Sequence, residues 1–129
     1  MPSPFHDTVT LAVPSAQTSP RNVILITLDG VVAVSFRGTR IFRVDAAGRI
    51  SDIAVLPGTR NDGVVALPDG SWLVSSWDAR AVLRVSGDGD VCTVIDDIGT
   101  PADIGYDARR QRVLVPSFQG NWLRIYPLE

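Results

Sequence analysis

Residues 61–95 read NDGVVALPDGSWLVSSWDARAVLRVSGDGDVCTVI, which is four short runs of β-forming residues separated by three turns. The runs cover residues 62–67, 72–76, 81–85 and 91–95, and the turns contain Pro-Asp-Gly, Asp-Ala-Arg and Gly-Asp-Gly. Short β-rich runs bounded by Gly, Pro and Asp are typical of hairpins. The stretch therefore predicts a four-stranded antiparallel meander.

The same pattern recurs along the chain at intervals of about 40 residues, a period typical of propeller repeats. The recurring pairs are Asp29-Gly30 with Asp69-Gly70, Val34-Ser35 with Val74-Ser75, Trp72-Leu73-Val74 with Val113-Leu114-Val115, and Arg84-Val85 with Arg124-Ile125. Four short strands in such an interval match the size of one β-propeller blade. We predict an all-β fold, a partial propeller of about three four-stranded antiparallel blades. The alternative, a β-sandwich of irregular hairpins, would not require the copies to hold register over three rounds.

The predicted blades cover residues 21–60, 61–101 and 102–129, and they follow an irregular segment at residues 1–20. That segment contains Pro2, Pro4, Pro14 and Pro20, which denies it a regular helix. Closed propellers need about four to eight blades, so three leave the ring open. Two explanations follow: the chain is a piece of a longer propeller, or two identical chains pair as a homodimer that completes a six-bladed ring.

Composition indicates one soluble domain and argues against several classes. The chain has 129 residues, 45% of them hydrophobic, with a net charge of −2. All 12 basic residues are Arg, scattered among 14 acids, so we expect no nucleic-acid partner. The apolar runs are far shorter than the roughly 20 residues of a membrane helix. The start lacks a secretory signal pattern, which predicts a cytoplasmic protein, or a periplasmic one if a signal lies upstream.

Several familiar reactive patterns are missing. Cys92 is the single cysteine and His6 the single histidine, so an internal disulfide and a zinc site rich in cysteines are excluded. We expect Cys92 to be a small buried hydrophobe. Asp88-Gly89-Asp90 imitates the start of a calcium loop, but the twelfth position is Gly99 where a Glu is required.

Residues 61–74, followed by Ala81-Val82-Leu83-Arg84-Val85, resemble the gluconolactonase, regucalcin and senescence-marker-protein group of six-bladed propellers. In that group an Asp-Gly at the start of an inner strand precedes a turn Asp-Gly and a strand containing Trp. The resemblance implies one divalent cation at the mouth of the central channel, held by a Glu, an Asn and an Asp from inner-strand starts. It also implies hydrolysis of a sugar lactone, with Ca²⁺, Mg²⁺ or Zn²⁺ as the cofactor.

Superposing the three copies at the inner-strand start gives Asn22, Asp62 and Asp103 as candidate metal ligands. By the resemblance, Asn22 corresponds to the metal-binding Asn, and Asp62 to the metal-binding Asp, which also serves as catalytic base. The group's Glu has no counterpart, because Glu129 is the only Glu of the chain. The alternative is that these three side chains cap turns by bonding their own backbone.

A second set of candidates lies in the turns after the second strand of each copy. Phe36, Trp77 and Phe118 are evenly spaced, one in each copy, which fits either packing between blades or aromatics around a ligand-binding mouth. Trp77, Arg80, Phe118 and Asn121 are the candidate ligand-binding residues, for a small lactone or a sugar-like molecule. The sequence thus predicts part of a metal-dependent lactone or ester hydrolase. The alternative is a non-catalytic binding propeller or an inactive truncated fragment.

Overall fold

The computed structural model describes residues 22–27 and 30–128, with side-chain detail from residue 30 onward. The predicted irregular segment at residues 1–20 lies outside the described residues. The strands are β1 Asn22–Thr27, β2 Gly30–Ser35, β3 Arg40–Asp45, β4 Ile50–Val55, β5 Asn61–Ala66, β6 Trp72–Ser76, β7 Ala81–Val85, β8 Val91–Ile95, β9 Gly105–Asp107, β10 Arg112–Ser117 and β11 Trp122–Pro127. Within those ranges there is no helix of the length and apolarity that a membrane crossing requires.

The strands form three separate antiparallel sheets in chain order. Blade 1 is β1–β4, blade 2 is β5–β8, and blade 3 is β9–β11 with β10 in the middle. The predicted all-β fold of successive antiparallel blades is confirmed. Blade 3 differs from the expectation in one respect: its sheet has three strands over the described residues, whereas blades 1 and 2 have four.

Apolar side chains cover both faces of the central strands, because each blade packs against a neighbour. One buried cluster lies between blades 1 and 2 and includes Val32, Ile41, Val74 and Leu83. A second lies between blades 2 and 3 and includes Leu73, Val82, Val113 and Val115. Neighbouring residues of β6, such as Leu73 and Val74, therefore face opposite blades, as the alternation of side chains along a strand requires.

The pairing of the strands shows which residues of the three blades are equivalent, and it does so more accurately than matching residue types along the sequence. Ser35 pairs with Asn22, Ser76 pairs with Asn61, and Ser117 forms a bridge with Pro101. These three serines are evenly spaced along the chain, and each ends the second strand of its copy. The expected match of Val34-Ser35 with Val74-Ser75 is therefore wrong by one position. Gly30 is the first residue of β2, whereas Gly70 lies two residues before Trp72, the first residue of β6, so blade 2 has one more residue between its turn and the end of its second strand.

The same pairing corrects the last repeat match. Leu73 pairs with Arg84, and its counterpart Leu114 pairs with Ile125. Arg84 thus corresponds to Ile125, and the expected match of Arg84 with Arg124 is wrong. Arg124 points to the opposite face, where its guanidinium lies 4.0 Å from the centre of the Trp122 ring.

Cys92 is exposed, so the prediction of a buried cysteine is wrong. The physical reason is its position in β8, the outermost strand of blade 2. The adjacent blade covers the inner and middle strands of a blade better than its outer strand, and Thr93 beside it is exposed as well. An apolar run in the sequence does not distinguish an outer strand from a middle one.

Candidate functional site

The strand pairing brings the predicted site residues to one end of the blades. Asn61, at the start of the inner strand β5, pairs with Ser76, and Ser76 also pairs with Ala81. The start of an inner strand and the turn after the second strand therefore lie together. We call this end the site face; it consists of the inner-strand starts 61–63 and 101–104 and the turns 36–39, 77–80 and 118–121.

Asp62 and Asp103 come from neighbouring blades and lie close together on the site face. A β-carbon placed on Gly63 would be 3.0 Å from Asp103 Oδ1 and 2.6 Å from the backbone nitrogen of Ile104. Burial raises the pKa of Asp62, the nearby Asp103 carboxylate raises it further, and the Trp77 indole lowers it. Two carboxylates that repel each other in this way attract a cation.

Ser75 holds the two carboxylate-bearing segments in register. Its hydroxyl is fully buried, accepts a hydrogen bond from the Gly63 N–H at 2.7 Å and donates one to the Ala102 carbonyl at 2.6 Å. The first bond lies within blade 2 and the second reaches blade 3. The pairing of β5 with β6 is irregular between Asn61 and Val64, which leaves the Gly63 N–H free to meet this hydroxyl instead of a strand partner.

Trp77 lies beside Asp62 with its ring nitrogen buried. The indole N–H is near enough to lower the pKa of Asp62, but within the described part of the chain it has no acceptor at hydrogen-bonding geometry. The Arg60 guanidinium lies 5.8 Å from the centre of the ring. Arg60 is in turn held by Asp78, to which its Nε donates a hydrogen bond of 2.7 Å.

Asp78 belongs to the scaffold of the site face. It accepts hydrogen bonds from the hydroxyl and the N–H of Thr59 and from Arg60. These bonds, the Thr59 hydroxyl first, lower the pKa of Asp78. The carboxylate therefore ties the loop that enters β5 to the turn that leaves β6.

Phe36, Trp77 and Phe118 form a continuous row across the three blades. The rings of Phe36 and Trp77 meet edge to face with centroids 5.1 Å apart, and those of Trp77 and Phe118 are 5.4 Å apart with a tilt of 32°. The contacts cross from blade to blade, as packing between blades requires. Phe118 is nevertheless 67% exposed, so the end of the row is open to a ligand.

Arg80 and Asn121 occupy the same place in successive turns. Both are exposed and both have positive φ, 52° and 55°. Arg80 lies 3.6 Å from Asp97 in an exposed ion pair. The positive φ values identify tight turns that hold these two side chains at the site face, three residues after Trp77 and Phe118 in the chain.

The structure does not assemble the expected ligand set of Asn22, Asp62 and Asp103 at equivalent positions. Asn22 pairs with Ser35 as Asn61 pairs with Ser76, so Asn22 is level with Asn61 and one position before Asp62. The side chain of Asn22 lies outside the described residues. Among the residues that the structure describes, no three His, Cys, Asp or Glu side chains gather in a way that could hold a metal ion.

Asn61 is a site-face residue that the sequence analysis missed. It is fully buried, and its Nδ2 donates to the carbonyls of Gly38 at 2.9 Å and Gly58 at 3.0 Å. Its Oδ1 has no hydrogen-bond partner within the described ranges. The signal available in the sequence was the recurrence of Asn at the starts of β1 and β5.

Comparisons with known proteins support the blade architecture. No protein-family model matches the sequence, and no curated protein matches it. Among solved structures, a streptogramin B lyase is similar with a TM-score of 0.58 and 16% identity over 81% of this chain and 39% of its own. Virginiamycin B lyase from Staphylococcus aureus is similar with a TM-score of 0.59 and 16% identity, covering 81% of this chain and 40% of that one.

A catalytically inactive variant of the Staphylococcus aureus virginiamycin B lyase, solved with quinupristin, has a TM-score of 0.56 and 17% identity, covering 81% of this chain and 40% of its own. At these identities the likeness establishes the propeller-like fold alone. The chain spans about two fifths of the length of these proteins. Membership of the gluconolactonase group stays a prediction.

Proposed function

We propose that this chain is part of a propeller whose site face binds a divalent cation through Asp62 and Asp103, and that the complete protein cleaves a lactone or another ester. The observation that carries the proposal is the approach of these two carboxylates on the inner strands of neighbouring blades. Burial raises the pKa of Asp62, and the Asp103 carboxylate raises it further; a cation between the two carboxylates would relieve their repulsion.

The residues present fit a hard cation in part. Ca²⁺ and Mg²⁺ prefer oxygen ligands, and Ca²⁺ takes about six to eight of them. Asp62 and Asp103 supply carboxylate oxygens from two neighbouring blades. Because the described residues offer no third carboxylate, histidine or cysteine in the group, further ligands would come from water, substrate or Asn22. Zn²⁺, which favours nitrogen and sulfur, fits less well.

When bound, the cation would polarise the carbonyl of the ester. Side chains of this protein would accept the proton and hold the reacting groups in place. Asp62 is the candidate base that would accept the proton of an attacking water. Ser75 keeps the Asp62 and Asp103 segments together. The indole N–H of Trp77 is a hydrogen-bond donor beside Asp62.

The aromatic row would bind the rest of the substrate. Phe118 offers an exposed ring and Trp77 a contacting one, and flat apolar ligand surfaces stack on such rings. Arg80 and Asn121 would contact polar groups of a small lactone or sugar-like ligand. This row also favours the second candidate function, a non-catalytic propeller that binds a small molecule.

The test is a calorimetric titration of the purified chain with Ca²⁺ and with Mg²⁺. Asp62→Asn and Asp103→Asn should each weaken binding at least tenfold, because each removes a carboxylate ligand. The control is Asp88→Asn, which changes an exposed turn carboxylate distant in sequence from the pair. Equal weakening by all three variants, or no binding to the unaltered chain, contradicts the metal site.

A lactonase assay and a ligand-binding assay with Asp62→Asn and Phe118→Ala separate the two candidate functions. An enzyme hydrolyses a lactone in a metal-dependent way and loses turnover with Asp62→Asn. A binding module binds the ligand without turnover and loses affinity with Phe118→Ala.

A further inference from the structure

A cleft opens between blades 2 and 3 at the end of the strands opposite the site face. It has a volume of about 170 Å³. Blade 2 contributes the turn between β5 and β6 and one side chain of β7, and blade 3 contributes β9 and the turn before β10. The lining side chains include Leu67, Asp69, Arg84, Tyr106 and Gln111. The carboxylate pair and the aromatic row lie at the other end of the strands, so the cleft is a separate feature.

The gap between blades 1 and 2 shows how the equivalent place is filled there. Arg43 pairs with Val32 as Arg84 pairs with Leu73, and each partner lies three residues before the serine that ends its strand. The two arginines are therefore equivalent. Arg43 lies 5.9 Å from the centre of the Trp72 ring, which is buried between the two blades. An arginine of one blade thus covers a buried aromatic ring of the next.

The gap between blades 2 and 3 has no ring at the place of Trp72. The equivalent residue is Val113, since Trp72 and Val113 each lie four residues before the serine that ends the second strand. Tyr106, which pairs with Val113, supplies a ring from the inner strand and forms a wall of the cleft. Because valine is smaller than tryptophan, Arg84 faces an open cleft, whereas its counterpart in blade 1 faces a ring.

Arg84 is held in place by its edge, and its charge is balanced. Its Nε donates a hydrogen bond of 3.2 Å to the Ser71 hydroxyl, and its Nη2 donates one to the Asp69 carboxylate. Hydrogen bonds from the Ser71 hydroxyl and N–H and from Arg84 lower the pKa of Asp69 to about 2, so the ion pair persists at neutral pH. The N–H groups lie in the plane of the guanidinium, so these bonds do not block its flat faces. Among the described residues, one arginine and one aspartate line the cleft, which favours a neutral ligand.

We propose that this cleft binds a small neutral aromatic molecule, whose ring lies against the Arg84 guanidinium as the buried tryptophan of blade 2 lies against Arg43. A cavity of about 150 Å³ holds one benzene molecule, so the volume of the cleft suits one ring or two small fused rings. Leu67 and the Tyr106 ring offer apolar contacts, and aromatic rings attract one another in offset or edge-to-face arrangements. Gln111 offers an amide to a polar group of the ligand.

The experiment is a titration of the full chain with indole, followed by two-dimensional NMR of the isotope-labelled protein. Indole is neutral and reproduces the ring of Trp72. We expect binding in the millimolar range or tighter, with the largest shift changes at the amides of Leu67, Arg84 and Gln111. Cyclohexanol, which is neutral but not aromatic, should bind at least threefold more weakly, because it offers no π face to the guanidinium.

Two matched variants test the role of the guanidinium. Arg84→Lys keeps the charge but removes the flat group, so it should weaken indole binding at least threefold. Arg43→Lys makes the same change at the equivalent position of blade 1 and should leave indole binding unchanged. The NMR spectra without indole report whether each variant is folded.

Four results overturn the proposal. They are no shift change at the cleft up to the solubility limit of indole, shift changes centred on the aromatic row of the site face, equal binding of cyclohexanol, and equal weakening by the two lysine variants. A segment of the same chain that fills the cleft would give the first of these results. Asp62→Asn should leave indole binding unchanged, because Asp62 lies at the other end of the strands, so failure here leaves the cation site untouched.

Discussion

Blade 2 and blade 3 are copies of one repeat in two different environments. Blade 2 is covered on both faces, by blade 1 and by blade 3, and every residue of its strand β6 is buried. Within the described residues, blade 3 is covered on one face, and in β10 buried residues alternate with half-buried ones. The two blades share one repeat pattern but differ in burial. The presence of a neighbouring blade on each face therefore decides which residues are buried.

The largest expected effect tests whether the neighbouring blade decides burial. Leu73→Ala should lower the free energy of unfolding by about 3 kcal/mol, because it leaves a cavity between blades 2 and 3. Leu114→Ala, at the corresponding position on the side of blade 3 that points away from blade 2, should cost about 1 kcal/mol, since less surface leaves water on folding. Urea denaturation measures both at a concentration where the chain is monomeric. Equal losses would mean that Leu114 is as well covered as Leu73, which would contradict the comparison of the two blades.

The second-largest expected effect concerns the hydrogen bonds of Ser75, which connect blade 2 to blade 3. Ser75→Ala removes the hydroxyl that bridges the Gly63 N–H and the Ala102 carbonyl, which leaves two buried groups unpaired and should cost about 2 kcal/mol. The control is Ser86→Ala, whose hydroxyl accepts a bond from the exposed Asp90 N–H and should cost less than about 0.5 kcal/mol. The denaturation midpoints of the two variants measure these losses of stability. Similar losses for both variants would contradict the bridging role of Ser75.

The smallest effects are electrostatic and have opposite signs in the two blades. The pKa of Asp62 in blade 2 is raised by burial and by Asp103. Its charge therefore destabilises the fold at neutral pH, and this penalty fades as the pH falls through its folded-state pKa and is gone below the ordinary value of 3.8. Asp62→Asn should raise the melting temperature at pH 7 by about 2 °C and leave it unchanged at about pH 3.

Asp107 in blade 3 behaves in the opposite way. Its pKa is lowered by hydrogen bonds from the Arg110 side chain and backbone, with a further contribution from Arg112. This stabilisation is present above the ordinary pKa of 3.8 and is lost as the pH falls through the folded-state value. Asp107→Asn should therefore lower the melting temperature at pH 7 and lose its effect in acid. Thermal scans from acid to neutral pH would contradict the comparison if both variants shifted in the same direction.

Much of the fold could be predicted from residues 61–95 and their recurrence. Apolar runs with strand periodicity between turns built on Gly and Asp are local features, so they predict strands and hairpins without tertiary information. The register between copies was less certain. The strand pairing makes Ser35 correspond to Ser76, and Arg84 to Ile125, whereas matching residue types favoured neighbours one position away. A strand shifted by one residue reverses its faces.

The candidate site was predicted in its location and only partly in its members. Asp62 and Asp103 were expected at inner-strand starts, and the structure brings them together, since the starts of neighbouring inner strands lie side by side. Asn61 and Ser75 were not anticipated. Their roles depend on carbonyls and N–H groups that are distant in sequence, such as the Ala102 carbonyl that Ser75 reaches from 27 residues away.

The sequence by itself determined the strands, the turns between them and the evenly spaced repeat, because backbone preference and side-chain periodicity are set within a few residues. Only the tertiary structure decided which apolar residues are buried, as Cys92 and Leu123 demonstrate by their exposure. The tertiary structure also decided the direction in which the pKa of Asp62 is shifted. Burial and charge repulsion depend on which segments the packing of blades brings within a few ångströms of each other, and that distance is a property of the assembled sheets.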